Sequence, residues 1–152
     1  DTKHMKQVYS IKRGSLAVLA VAVVISMGGV STVLGADPEV DLSKLPPAAK
    51  KENVSYEKDL KPIIDKSCMK CHSGDRPKGR YLMTSKKAFI KGGESEQAAI
   101  VAKNVKKSLA LIYAADLVED MEMPPIGKRK DFPKLTKEQL ALVRAWIEQG
   151  AK

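Results

Sequence analysis

The two cysteines of this 152-residue chain, Cys68 and Cys71, are separated by two residues and are followed directly by His72. This C-x-x-C-H spacing is typical of covalent haem attachment, because each thiol can form a thioether to one edge of a porphyrin. His72 then lies where an imidazole nitrogen can bind the iron. The sequence therefore predicts one covalently bound haem c, held by Cys68, Cys71 and His72.

Two other uses of paired cysteines fit the sequence less well. A thiol-redox C-x-x-C motif needs no histidine after it and usually lies in a βαβ unit, whereas this sequence shows no alternating strand pattern. A structural zinc site needs two further ligands at zinc-finger spacing, and the other histidine, His4, is far away near the N-terminus. Haem attachment is therefore the preferred interpretation.

The second axial ligand of the iron is expected to be a methionine, since no second histidine lies near the motif. Of six methionines, three are placed too far away or inside the motif: Met5, Met27 and Met69. Met123 is preferred because the two prolines after it stiffen the loop and favour an extended conformation at Met123. Met121, Met83, a lysine ligand and an open iron face remain alternatives.

The N-terminal part of the sequence consists of a basic segment, residues 1–15, and an uncharged apolar run, residues 16–36. A helix of this length rises about 31 Å, enough to cross a bilayer core of about 30 Å. Because the basic residues precede the run, the N-terminus is expected inside. We therefore expect a single transmembrane anchor at the cytoplasmic membrane, with the haem domain on the periplasmic or outer face. A cleaved signal sequence is the alternative.

The remaining sequence is interpreted as a linker followed by an all-α domain. Residues 37–54 contain three prolines and no periodicity, which is typical of a linker. Residues 55–152 show helical patterns, beginning with an N-cap at Ser55 and a kink at Pro62. Further apolar periodicity or helical patterns occur at 85–90, 96–101, 108–117 and, after a capping box at Thr136, up to Gly150.

Residues 56–151 resemble the small monohaem cytochrome c domains called planctomycete-type. The most specific shared phrases are Met123-Pro124-Pro125 and Trp146-Ile147-x-x-Gly150-Ala151; the others are Pro62-Ile63-Ile64, Gly79-x-Tyr81-Leu82-Met83, Gly92-Gly93, Ser108-Leu109 and Leu135-Thr136. The resemblance implies a small helical domain around one covalent haem. Cys68 and Cys71 would carry the thioethers, and His72 and Met123 would be the axial ligands. The second methionine beside Glu122, Met121, departs from the pattern and leaves a ligand exchange open.

The charge of the sequence favours an acidic redox partner protein or a membrane redox complex. From residue 37 onward there are 23 Lys or Arg against 17 Asp or Glu, a net charge of +6. Two basic clusters flank the predicted ligands: Lys66, Lys70, Arg76, Lys78, Arg80, Lys86 and Lys87, and Lys128, Arg129 and Lys130. A basic rim around a haem steers an acidic partner, although an ordinary solvated surface would look the same. Nucleic acid is not expected, because no reading motif or aromatic platform accompanies the charge.

Three classes of function remain possible. The preferred one is a membrane-anchored c-type cytochrome that transfers single electrons and is not an enzyme. A haem enzyme would need an open iron face with an acid–base residue, and residues 37–152 contain no histidine besides His72. A sensor would need a displaceable sixth ligand. Whether the cytochrome moves freely between partners or is a fixed subunit or dedicated donor of a respiratory or photosynthetic complex is left open.

Overall fold

The computed structural model describes residues 40–152, and this part of the chain is helical without any β-strand. Its four α-helices are α1 (Lys61–Ser67), α2 (Lys86–Lys91), α3 (Leu109–Ala114) and α4 (Lys137–Glu148). A π-helical segment, Tyr56–Leu60, leads into α1. Short 3-10 turns lie between the helices, at Leu42–Lys44, Lys78–Arg80, Val105–Lys107 and Ile126–Lys128.

The predicted transmembrane helix is not supported. Within residues 40–152 no helix is both long enough and apolar enough to cross a membrane. The longest, α4, has 12 residues, whereas a bilayer needs about 20. The predicted span, residues 16–36, lies outside the described residues. The fold prediction is therefore corrected to a small helical domain. The predicted location at the cytoplasmic membrane is corrected with it, because it depended on that helix.

The first helical segment begins where its capping residues predict. The Ser55 side chain accepts a hydrogen bond from the Lys58 N–H (3.3 Å), and the Asp59 carboxylate accepts one from the Ser55 N–H (2.8 Å). Both bonds satisfy backbone donors near a helix start. The helix changes from π to α geometry beside Pro62, which lies in the first turn of α1, where its missing N–H is not needed.

The last helix supplies the centre of the core. Thr136 and Gln139 form a reciprocal capping box, with hydrogen bonds of 2.9 and 3.3 Å between side chain and backbone. Trp146 is completely buried, and its ring lies 5.8 Å from that of Tyr56 and 6.0 Å from that of Phe89. This aromatic cluster joins α4 to the first helical segment and to α2.

The segment between α2 and α3 is irregular rather than helical. The predicted periodic stretch 96–101 buries Ala99 and Ile100 without forming a helix. Ser108 is fully buried at the start of α3, where its hydroxyl accepts from the Val101 N–H (3.0 Å) and donates to the Asn104 carbonyl (2.8 Å). A buried hydroxyl with both roles satisfied anchors the start of α3.

Residues 40–54, predicted as a linker, pack against α4 and the residue after it. Leu45 and Val54 are buried in the core. Four hydrogen bonds hold the segment there: Ala49 N–H to the Ala141 carbonyl (3.0 Å), Arg144 Nη1–H to the Pro46 carbonyl (3.0 Å), Val54 N–H to Gln149 Oε1 (2.8 Å) and Gln149 Nε2–H to the Lys51 carbonyl (2.8 Å). A segment without periodicity is packed in this way because distant side chains satisfy its backbone. Sequence periodicity does not report such bonds.

We expect Leu45→Ala to lower the free energy of unfolding by about 2 kcal/mol or more, because it opens a cavity in the core. Urea unfolding of the haem-loaded protein measures this change. Lys44→Ala, at the exposed neighbouring residue, is the control and should leave the stability within about 0.5 kcal/mol. Equal effects of the two substitutions would show that residues 40–54 are a loosely attached linker.

Candidate haem-binding site

A cavity of about 260 Å³ lies beside the C-x-x-C-H motif and opens to solvent. Its walls come from α1, the segment around Tyr81, α3, the loop with Met123, and α4. Most of the lining side chains are apolar, among them Ile63, Ile64, Phe89, Ala99, Leu109, Leu111, Leu135 and Val143. Cys68, His72 and Met123 also line it, together with Met83 and Met121, while Cys71 is not among the lining residues.

The backbone of the motif forms a tight turn directly after α1. The Cys68 N–H donates to the Ile64 carbonyl (2.8 Å), which continues the helical bonding of α1. The N–H groups of Cys71 and His72 then both donate to the Cys68 carbonyl, each at 3.1 Å. The turn therefore carries Cys68 and His72 to the same cavity although three residues lie between them.

The imidazole of His72 is oriented by a backbone carbonyl. Its Nδ1 lies 3.1 Å from the Tyr81 carbonyl oxygen, and the residue is only 9% exposed. Because a carbonyl oxygen only accepts, this bond places the proton on Nδ1 and leaves the Nε2 lone pair available to a metal. Burial lowers the pKa of His72, so the ring is neutral at physiological pH despite the opposing hydrogen bonds of the backbone. This is the form that binds metal.

Tyr81 is held in turn by α2. Its hydroxyl donates to the Phe89 carbonyl (2.7 Å), and the two rings stack with centroids 6.4 Å apart. Burial raises the pKa of the Tyr81 phenol, which stays protonated and keeps this bond as a donor. The carbonyl that orients His72 is therefore positioned by the aromatic core.

The thiol of Cys68 is not suited to redox exchange. Burial, with a smaller effect of the neighbouring Cys71, raises the pKa of Cys68 to about 12. The thiolate is the reactive species in disulfide exchange, and catalytic C-x-x-C cysteines have lowered pKa values. This observation counts against the thiol-redox interpretation of the motif.

The three candidate methionines differ in their surroundings. Met83 is 8% exposed, and its N–H donates to the His72 carbonyl (2.9 Å), so these two residues lie side by side. Met121 is 40% exposed. The Met123 N–H donates to the Tyr113 carbonyl (3.0 Å) near the end of α3, and its peptide bond to Pro124 is cis. Met123 thus enters the cavity from a different segment of the chain than His72.

Two glycines allow the backbone to close the cavity beside Tyr81. Gly92 has φ +91°, a conformation that side chains disfavour. A Cβ on Gly93 would collide with the Gly79 carbonyl oxygen and with the Cβ of Tyr81. The Gly92-Gly93 pair therefore ends α2 and lets the chain return close to the residue that orients His72.

Charge at the cavity mouth is mixed rather than uniformly basic. All seven cations of the first predicted cluster are exposed, and none of them makes an ion pair within residues 40–152. Lys78 lines the cavity, but so does Glu94. In the second cluster Lys128 and Lys130 are exposed, whereas Arg129 is paired with Asp116 at 2.6 Å.

The site fits a haem on the chemistry of its donors. An apolar cavity bounded by a neutral imidazole with a free Nε2, a partly buried thiol and a thioether offers the groups that hold haem iron and its macrocycle. Haem when bound supplies a one-electron iron couple. The fold and the site together define the class: a small helical haem-binding domain.

The family is given by comparison with known proteins. Residues 68–127 match the family model of the planctomycete cytochrome C, which supports a planctomycete-type cytochrome c domain in this part of the chain. The match begins at Cys68 and includes Met123. None of the curated proteins and none of the solved structures matches the chain. Cytochrome c domains typically carry electrons rather than catalyse bond chemistry, and the family match therefore indicates an electron-transfer haem protein.

Sequence reasoning missed three parts of the site. It identified Tyr81 only as part of a shared phrase, because no sequence signal shows that its carbonyl accepts from His72. It did not assign α3 to the cavity wall, since helical periodicity does not tell which helix faces a ligand. It counted Arg129 as a docking cation, although the structure pairs it with Asp116, 13 residues earlier.

We expect Gly93→Ala to lower the free energy of unfolding by about 1 to 3 kcal/mol, because the added methyl group forces backbone atoms apart. Gly127→Ala is the matched control: a Cβ there meets nothing within 4 Å. Urea unfolding and the haem content of the purified protein measure both effects. Equal stability and equal haem content of the two variants would contradict the close approach at Gly93.

Proposed function

We propose that this protein is a monohaem c-type cytochrome that transfers single electrons between protein partners. Cys68 and Cys71 would hold the haem covalently, and His72 and Met123 would be its axial ligands. The observation that carries the proposal is the hydrogen bond from His72 Nδ1 to the Tyr81 carbonyl, at the edge of an apolar cavity that Met123 also lines. It prepares Nε2 for a metal rather than for acid–base work.

The protein's own residues perform three tasks in this proposal. The aliphatic and aromatic lining would keep much of a bound haem away from water, and such a low-dielectric surrounding favours the iron state of lower net charge. Tyr81 keeps the imidazole orientation constant. The exposed lysines and arginines near the motif orient a partner for electron transfer.

Met123 is proposed as the second axial ligand in preference to its two neighbours in the cavity. The Met83 N–H donates to the His72 carbonyl, so the two residues are neighbours, and Met83 would be poorly placed to bind the iron from the side opposite to His72. Met121 has a side chain partly in solvent. Met123 is attached to α3 rather than to the motif, which suits a ligand that must come from a second wall.

We expect Met123→Ala to abolish the sulfur-to-iron absorption band of the oxidised protein and to lower its midpoint potential, because thioether ligation favours ferrous iron. Visible spectroscopy and a redox titration measure these changes. Met83→Ala and Met121→Ala are the controls and should retain the band. Loss of the band in either control, with its retention in Met123→Ala, would assign the ligand to that other methionine.

A haem enzyme or sensor is the alternative function, and it differs in one measurable property. Such a protein needs an iron face that an outside ligand can reach. Slow carbon monoxide binding by the reduced wild-type protein supports the electron carrier. Rapid binding, or substantial peroxide turnover, supports the alternative.

An acidic redox partner is proposed from the exposed cations near the motif. Among these, Lys78 both lines the cavity and is exposed, so a negative partner at the mouth would approach it first. Glu94 at the same mouth reduces this attraction without reversing the excess of positive charge.

The charge proposal is tested with hexacyanoferrate(III), an anionic oxidant of known charge. Its oxidation of the reduced protein should slow as salt rises, because screening acts over about 8 Å at physiological ionic strength. Lys78→Glu should slow it roughly threefold or more at low salt. Lys50→Glu carries the same charge change at an exposed residue outside the cavity lining and should have a smaller effect. A rate independent of salt and of Lys78 would contradict a basic docking surface.

A further inference from the structure

Arg129 connects the Met123 loop to α3 through two separate hydrogen bonds. Its Nε donates to the Pro124 carbonyl at 3.0 Å, and its Nη2 donates to Asp116 Oδ1 at 2.6 Å. Pro124 directly follows Met123, and Asp116 lies two residues after the end of α3. The rigid planar guanidinium donates from two separate nitrogens in a fixed geometry, whereas a lysine would have to reach both acceptors from a single nitrogen.

Asp116 is itself held in place for this role. Its second oxygen, Oδ2, accepts from Lys134 Nζ at 2.5 Å. Burial alone raises the pKa of Asp116, but the hydrogen bonds from Arg129 and Lys134 outweigh it and lower the pKa below its usual value. The carboxylate therefore stays charged at neutral pH. The group is about a fifth exposed, so solvent weakens these interactions without removing them.

The Met123 loop is consequently fastened to α3 on both sides of the methionine side chain. The Met123 N–H donates to the Tyr113 carbonyl (3.0 Å), and the next carbonyl, that of Pro124, accepts from Arg129. Tyr113 lies in the last turn of α3, and Asp116 lies two residues after the helix ends. Of the two attachments described here, removal of the Arg129 side chain would leave only the hydrogen bond from the Met123 N–H to the Tyr113 carbonyl.

We propose that Arg129, held by Asp116, is a positioning residue that keeps the Met123 thioether at the sixth coordination position. The proposal rests on the proposed function, in which Met123 is an axial ligand. A loop fixed at two points keeps the sulfur close to its target and lowers the fraction of time for which the position is open. When one attachment is lost, an outside ligand competes more easily.

The chain contains a matched arginine for comparison. Arg144 also bridges a proline carbonyl and a carboxylate, with bonds of 3.0 Å to the Pro46 carbonyl and 2.8 Å to Glu148 Oε1. Its side chain is 27% exposed, against 23% for Arg129. Arg144 lies on α4 and does not line the cavity. Its loss reports the general effect of removing an arginine bridge.

The test compares Arg129→Gln and Arg144→Gln in the full haem-loaded chain. The rate of carbon monoxide binding to the reduced protein measures how often the sixth position opens. We expect Arg129→Gln to bind carbon monoxide about tenfold faster than wild type, which corresponds to about 1.4 kcal/mol. It should also weaken the sulfur-to-iron band. Arg144→Gln should retain the wild-type rate and band even if its unfolding midpoint falls.

A wild-type rate and band in Arg129→Gln, or the same acceleration in Arg144→Gln, would overturn the proposal. If Arg129→Gln does not accumulate as a folded haem protein, Asp116→Asn takes its place, since it removes the charge pair at nearly constant size. Faster carbon monoxide binding in that variant supports the proposal, and a wild-type rate overturns it. Met123→Ala tests the ligand assignment separately from the role of Arg129. If Met123→Ala retains the sulfur-to-iron band, Met123 is not the ligand. If Met123→Ala loses the band while Arg129→Gln behaves like wild type, only the role of Arg129 is refuted.

Discussion

The hydrogen bond between His72 Nδ1 and the Tyr81 carbonyl is the interaction on which the site depends. It fixes the tautomer of the imidazole and so decides which nitrogen faces the cavity. The carbonyl has this position because the Tyr81 side chain is bonded to the Phe89 carbonyl and stacked on the Phe89 ring. The buried imidazole of His72, on the turn after α1, is thereby oriented by the aromatic interior of the domain.

The aromatic core explains how so small a helical domain keeps a large apolar cavity open. Trp146, Tyr56 and Phe89 lie with ring centroids about 6 Å apart, a distance at which aromatic pairs attract beyond their buried area. These rings connect α4, the first helical segment and α2. The cavity therefore borders on a rigid cluster, while the short helix α3 and the Met123 loop close it from other segments.

The charged groups near the site serve two different purposes. The seven cations of the first basic cluster, around the C-x-x-C-H motif, are exposed, make no ion pairs within the described residues 40–152 and are available to a partner. Arg129 belongs to the same basic composition but is bonded to Asp116 and to the backbone beside Met123. Residues of the same charge therefore differ in role: the guanidinium of Arg129 donates to a carbonyl and a carboxylate together, whereas the exposed cations of the first cluster remain unpaired within residues 40–152.

The sequence by itself determined the features that depend on neighbouring residues. The C-x-x-C-H spacing, the N-cap at Ser55 and the capping box at Thr136 are local patterns, and the structure forms both caps as predicted. Local patterns were misleading where contacts with residues distant in the sequence decide whether a segment is packed or helical. Residues 40–54 lack periodicity yet pack on α4, and the stretch 96–101 has apolar periodicity yet is not helical.

Only the tertiary structure decided which groups meet at the cavity. Tyr81 reaches His72 through a backbone carbonyl, and every residue carries such a carbonyl, so no residue type identifies it. Asp116 and Arg129 form an ion pair although they are 13 positions apart in the sequence, a spacing that neither helical nor strand periodicity predicts. The membrane helix was predicted for residues 16–36 from length and hydropathy; that run lies outside the described residues, and residues 40–152 contain no helix that could cross a membrane. The residue types of a segment limit the contacts it can make, whereas the folded chain decides which of those contacts form.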